Sequence, residues 1–216
     1  MENQTKDLTA IRREYCGVDF LRSQLSANPV QQFSNWFEQA REIRPDDVSS
    51  MTLATASASG MPSARIVLLK HYDEGGFCWY TDYESQKGQH IADNPQAELM
   101  FYWSSLERQV RIQGWVHKLD QASAKRYFNE RPRSSQISAA ASFQSQPIGS
   151  REELEGAVTQ LQGRFANSEV LKPERWGGYC LVPSRFEFWQ GREGRLHDRL
   201  VYTLTTNQWD IQRLQP

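Results

Sequence analysis

Residues 65–83 read Arg65-Ile66-Val67-Leu68-Leu69-Lys70-His71-Tyr72-Asp73-Glu74-Gly75-Gly76-Phe77-Cys78-Trp79-Tyr80-Thr81-Asp82-Tyr83. Arg65 to Tyr72 is rich in β-branched, aliphatic and aromatic residues, Asp73 to Gly76 is turn chemistry, and Phe77 to Tyr83 is again apolar and aromatic. Strand, tight turn, strand is the signature of an antiparallel hairpin. Upstream, Met51 to Ala56 reads as another strand, followed by a turn at Ser59-Gly60-Met61-Pro62. Downstream, Ala97 to Ser104 and Gln109 to Leu119 form a further pair, and Gly178 to Val182, Arg185 to Gln190, Leu200 to Thr205 and Trp209 to Leu214 continue the pattern.

Helices punctuate these strands. Asn28-Pro29 is an N-cap followed by proline at the first helical position, with Val30, Phe33, Phe37 and Ala40 at helical spacing. Ser85 caps a short helix ending near Asn94-Pro95. Asp120 caps another, which Pro132 stops. Ser150 and Glu153 form a capping-box pattern for a helix to about Phe165. Leu8 to Gln24 reads as weakly helical, residues 1–7 as disordered, and the Ser-, Gln- and Ala-rich stretch 133–149 as a long functional loop. No internal repeat or domain-scale linker breaks the chain. The expectation is one domain over 1–216, mainly β, an antiparallel barrel with helices packed outside.

The bulk numbers narrow the function. With 216 residues, 25 Lys and Arg, and 26 Asp and Glu, the formal net charge is −1, so no nucleic-acid partner is expected. The apolar runs are too short to span a bilayer. The polar Met1 to Leu8 carries no apolar signal segment, and the three separated cysteines form no C-x-x-C, so a reducing, cytoplasmic compartment is expected. There is no Walker loop, G-x-S-x-G, G-x-G-x-x-G or H-E-x-x-H, and no metal is expected. Redox chemistry here would need an organic cofactor.

Four segments could carry chemistry. In Arg65 to Lys70, alternation puts Arg65, Val67 and Leu69 on one face and Ile66, Leu68 and Lys70 on the other. The same pattern describes a buried strand with snorkelling ends. Tyr127 and Arg131 share a helix face at i, i+4, and a turn after Pro132 could bring Ser135 to them, giving a phenol, a guanidinium and a hydroxyl for a phosphate. A cation at a helix C-terminus explains Arg131 equally well. Arg195, His197 and Arg199 alternate, as on one strand face, where three cations need an anion or open solvent. Glu187-Phe188-Trp189-Gln190-Gly191 ends a strand in aromatics, either as core or as a flat wall for a ring system.

Taken in order, Arg65-x-Val-Leu-Leu-Lys70, Gln109-Val-Arg-x-x-Gly114, Glu187-Phe-Trp-Gln-Gly191, Arg195-Leu-His-Asp-Arg199 and the ending Arg213-Leu-Gln-Pro216 resemble the pyridoxine (pyridoxamine) 5′-phosphate oxidases, over about Leu8 to Pro216. The resemblance implies an FMN-binding split β-barrel of antiparallel Greek-key type. It also implies a homodimer with FMN at the subunit interface, and oxidation of phosphorylated B6 vitamers by O₂ to pyridoxal 5′-phosphate. By position it assigns Arg65, Ile66, Val67, Leu68, Leu69, Lys70, Tyr80, Thr81, Gln86, Lys87, Gln109, Gln144, Ser145, Trp189 and Arg199 to FMN. Lys70, Tyr127, Arg131 and Ser135 go to the substrate phosphate, and Arg195 and His197 to the reacting face. Arg12 and Tyr15 fall in an N-terminal segment, 8–28, that can close over the site. Two departures stand out. Gln86 replaces an arginine beside Lys87, implying weaker FMN binding, and Ala140 replaces a tryptophan, implying a looser loop before Gln144. Related split-barrel flavoproteins with other substrates, such as flavin reductases, and a non-catalytic FMN carrier are the rival readings.

Overall fold

Side-chain alternation builds the first ladder. A computed structural model describes residues 7–206 and 208–216, so the expected disorder of 1–7 lies, Asp7 apart, outside the described residues. In β1 (Ser50–Ala56) Met51, Leu53 and Thr55 are buried and the residues between them are half-buried, the period of a pleated strand. β2 (Pro62–Leu68) pairs with it antiparallel, from Ser50 opposite Leu68 to Ala56 opposite Pro62. The expected strand Arg65 to Tyr72 is divided. Pairing with β1 ends at Leu68, and β3 (His71–Asp73) pairs with β4 (Gly76–Asp82) instead. At the break the Leu69 N–H donates to the Ser49 carbonyl and the Lys70 N–H to that of Cys78, both at 2.9 Å, so no buried backbone donor is lost. Gly76 has φ +136°, and a Cβ there would lie 2.4 Å from the Leu181 carbonyl oxygen; only glycine closes this hairpin.

The helix α2 (Gln86–Asp93) leads to β5 (Gln96–Trp103), and β6 (Arg108–Lys118) follows. The two strands expected between Gly178 and Gln190 are one, β7 (Trp176–Gln190). Its pairing with β6 slips between Gln113 and Gly114, opposite Arg185 and Pro183, so a bulge at Ser184 absorbs the proline that suggested a break. The chain ends in β8 (Asp198–Leu204) and β9 (Trp209–Leu214). All pairings are antiparallel, in the order β2-β1-β5-β6-β7-β4-β3, with β8 on β7 and β9 on β8. The first half of β7 pairs with β4 and the second with β8. Strands β5, β6, β7 and β4 lie side by side, with β4 beside β7, the Greek-key arrangement.

The curled sheet encloses the main core. Phe33 and Trp36 of α1 (Pro29–Ile43) reach into it among Phe77, Phe101, Phe186 and Phe188, all essentially buried. The Asn28 side chain caps α1, accepting from the N–H groups of Val30 and Gln31. A second, smaller core joins Phe128, Ile137, Val170 and Trp176. It is built by α3 (Gln121–Glu130), α4 (Arg133–Ala141) and α5 (Arg151–Arg164).

Two further expectations are corrected. Residues 8–24 form no α-helix and are irregular apart from a turn at Thr9 and Ala10 and a 3-10 turn at Arg22–Gln24. Two of their backbone donors go to distant carboxylates, Cys16 N–H to Glu107 at 2.8 Å and Phe20 N–H to Asp198 at 3.0 Å, rather than into a helix. The stretch 133–149 is half helix, because Ile137 of α4 anchors it in the second core. Cys78 and Cys180, distant in sequence, face each other across β4 and β7, both as buried free thiols. No helix among the described residues is long and apolar enough to cross a membrane.

Candidate active site

A cavity of about 600 Å³ opens where β2 and the end of β4 meet α3 and α4. That volume suits a small organic ligand. Arg65, Ile66, Val67, Leu68 and Lys70 line one wall, Tyr80, Thr81 and Lys87 a second, and Tyr127, Arg131, Ser135 and Gln144 a third. The turn proposed after Pro132 is made: Arg131 ends α3, Pro132 opens α4, and Ser135 sits in the first turns of α4. Leu69 instead faces the core at 5% exposure. Asp82, Pro132, Ser138, Ala139, Ser142 and Trp176 also line the cavity, and none of them belongs to the expected site. The glycine pair after Trp176 was the available signal for that end. A Cβ at Gly178 would lie 2.8 Å from the Tyr80 ring, and one at Gly177 2.1 Å from the Tyr83 hydroxyl.

Four cations, Arg65, Lys70, Lys87 and Arg131, meet one carboxylate in this lining, Asp82, and Asp82 is paired with Arg175 at 2.9 Å. Arg65 is held by neutral acceptors, the Thr55 hydroxyl at 2.8 Å and the Ser63 hydroxyl at 2.6 Å. The Lys87 ammonium, in a side chain 7% exposed, donates to the Gln144 amide oxygen at 2.5 Å and to Thr81 at 3.3 Å. Burial, with repulsion from Arg65 and against the pull of Asp82, pushes its pKa down from 10.5 to about 8. Burial also lowers Arg65 and Arg131 and raises Tyr80 and Tyr127. One Arg131 nitrogen, Nη1, is buried with no hydrogen-bond partner. An unsatisfied buried guanidinium N–H is costly unless an acceptor comes to it. Beside it the rings of Tyr127, Tyr80 and Trp176 are nearly parallel, with Tyr80 and Tyr127 centroids 4.0 Å apart. The donor set therefore fits a ligand with phosphate groups and a flat ring, as FMN and a phosphorylated pyridine have.

Tyr15, Gln109, Trp189, Arg195 and His197 form a second group, away from this lining. Trp189 and His197 have centroids 4.6 Å apart, and the Tyr15 ring stands edge-on to both at 5.5 and 5.0 Å. The Arg195 guanidinium lies 5.7 Å from the Tyr15 ring, and Gln109 is opposite Trp189 in the ladder. Arg195 and His197 are not on a strand with Arg199: β8 starts at Asp198, and Gly194 and Arg195 both take left-handed backbone, φ 60° and 64°. Tight reversal before β8 needs those angles, and a non-glycine residue there stores strain characteristic of functional turns. The Arg192 N–H donates to His197 Nδ1 at 3.0 Å, so the neutral ring carries its proton on Nε2. Burial, then Arg195, lower the His197 pKa against the opposing Glu107. Arg199 is gripped by buried Glu187 at 2.8 Å. Ser145 sits in a turn with φ 72°, Arg12 is exposed, and exposed Gln86 accepts from Ser63 at 3.2 Å.

Fold and site together define a split-barrel protein with a cation-lined cavity. Residues 36–165 match the family model described as pyridoxamine 5′-phosphate oxidase, and residues 176–216 match the pyridoxine 5′-phosphate oxidase C-terminal dimerisation region. The chain belongs to the pyridoxamine 5′-phosphate oxidase family. It is 50% identical to a pyridoxine/pyridoxamine 5′-phosphate oxidase of Crocosphaera subtropica, over 97% of this chain and 100% of that one. A protein of the same name from Rubrobacter xylanophilus is 46% identical, over 100% and 99%. Among solved structures, PhzG from Burkholderia lata, in complex with tetrahydrophenazine-1-carboxylic acid, superposes with a TM-score of 0.87. It is 27% identical, over 93% of this chain and 99% of that one.

Proposed function

We propose that this chain is an FMN-dependent oxidase that converts pyridoxine or pyridoxamine 5′-phosphate to pyridoxal 5′-phosphate with O₂. The alcohol or amine carbon loses two electrons and two protons, O₂ becomes hydrogen peroxide, and the amine substrate also takes up water and releases ammonia. The observation that carries the reading is a cavity with four cations whose one carboxylate is already engaged, together with a buried guanidinium nitrogen that lacks an acceptor. Arg65, Thr81, Lys87 and Gln144 would hold FMN at one end. Tyr127, Arg131, Ser135 and Lys70 would hold the substrate phosphate at the other. FMN, when bound, supplies the two-electron chemistry and its return to O₂.

The chain's own residues orient and hold protons. Arg195 sets the substrate's pose and meets developing negative charge, and His197 presents its Nε2 proton as a donor. They stand at the far end of β7 from Trp176, so we place them over the cavity of a second copy, in a homodimer whose sites are shared. The test is an absorbance spectrum before and after anaerobic addition of pyridoxine 5′-phosphate, then after air. Flavin bands that bleach and return support the reading. Bands that ignore substrate make this a flavoprotein with another substrate, and failure to take up FMN overturns the cofactor.

A further inference from the structure

Arg175 lies just before β7 and belongs to no motif, yet it ties β4 to the end of α4 at the rim of the cavity. Its Nε is 2.9 Å from Asp82. Its Nη2 donates to the carbonyls of Ala139 at 3.3 Å, Ala140 at 2.9 Å and Ser142 at 2.9 Å. Its guanidinium stands 4.0 Å from the Phe143 ring centroid. The first two carbonyls belong to the last turn of α4, where no intrahelical donor is available and the helix dipole favours a cation. One side chain thus grips residues 139 to 143, immediately before Gln144. The Gln144 amide oxygen in turn receives both the Lys87 ammonium at 2.5 Å and the Thr81 hydroxyl at 2.8 Å.

We infer that Arg175 is a positioning residue for cofactor binding: it fixes Gln144 against Lys87 and Thr81, and it occupies Asp82 so that the cavity stays free to receive a phosphate. Asp82 is 4% exposed and Lys87 7%, so a carboxylate released there would sit poorly solvated beside the lysine and compete with an incoming anion. A planar five-donor fork can serve a carboxylate and three carbonyls together; an ammonium cannot. The inference rests on the proposal that FMN occupies this cavity.

The experiment is FMN titration, by quenching of flavin fluorescence, of the apoproteins of wild type, Arg175→Ala, Gln144→Ala and the double variant, with hydrogen exchange followed over residues 139–146. Arg175→Ala is expected to weaken FMN at least tenfold and to speed exchange in that segment. The double variant should bind no more than about threefold weaker than the worse single variant, since the two residues act in series. A carboxylate effect is read separately: Asp82→Asn in the Arg175→Ala background should restore part of the affinity, which a purely structural role of Arg175 would not produce. Should Arg175→Ala fail to fold, Arg175→Lys, which keeps a cation for Asp82, should still lose affinity and loop protection. Multiplicative losses in the double variant, or wild-type affinity in Arg175→Ala, overturn the inference. A wild-type protein that binds no FMN overturns the cofactor reading instead.

Discussion

Replacing Lys87 by methionine should stabilise the FMN-free protein and cripple FMN binding at once. The lysine is buried among neutral acceptors and pushed down from 10.5 to about 8, which corresponds to roughly 3 kcal/mol against its charged form. Between about pH 8 and 10.5 the unfolded chain holds a proton that the folded chain has lost, so stability rises with pH through that window. At pH 7 the whole penalty is present. Methionine removes the charge at similar length but forfeits the hydrogen bond to Gln144 at 2.5 Å, worth about 1.5–3 kcal/mol, and longer ones to Thr81 and Ser85 at 3.3 and 3.4 Å. The balance is a gain of up to about 1.5 kcal/mol, or up to roughly 6 °C in Tm for a chain of this size. FMN should bind about 10- to 100-fold more weakly, the worth of a charge-assisted hydrogen bond. Thermal melts of the FMN-free protein at pH 7 and 10, with fluorescence titrations, measure both. The wild type should gain stability between those pH values and the variant should not. A variant that melts lower than wild type at pH 7 while binding FMN normally would refute the account of Lys87.

Three other outcomes are expected. Arg131→Leu should raise KM for the phosphorylated substrate about 100-fold with FMN content unchanged, in steady-state peroxide assays; an unaltered KM would remove Arg131 from the substrate phosphate site. Arg195→Ala should lower kcat/KM by orders of magnitude with FMN still bound. It should also move the His197 imidazole pKa upward, by NMR titration, because Arg195 holds it down; a downward move contradicts that geometry. Gln86→Arg should tighten FMN several-fold at low ionic strength, and an unchanged affinity would mean that the phosphate lies elsewhere.

Much of the fold is legible because period-two alternation and turn chemistry are local. The hairpin at Gly75-Gly76 and the Asn28, Asp120 and Ser150 caps fall where the sequence puts them. What is not legible depends on partners far along the chain. Leu69 and Lys70 look like mid-strand residues, but the chain changes ladders there. Pro183 looks like a strand end, but a bulge carries β7 past it. Residues 8–24 have helical composition, but Glu107 and Asp198 claim their backbone. At the site, Tyr127, Arg131 and Ser135 are legible together because their spacing is local, whereas Arg175 is not, because its partners come from α4 and β4. The arginine grip also bears on Ala140: the loop expected to be loose is held through that residue's own carbonyl.

The length of β7 has a genetic consequence. Trp176 at its start belongs to the cavity and Trp189 near its end to the Tyr15–His197 group, about 40 Å apart along the strand at roughly 3.3 Å per residue. If each site borrows its second half from another copy, a chain defective in Arg131 and one defective in His197 are each inactive alone. In a mixed pair both lesions fall in one site and the other is intact. Two null alleles would then complement each other, whereas two lesions in the same half would not.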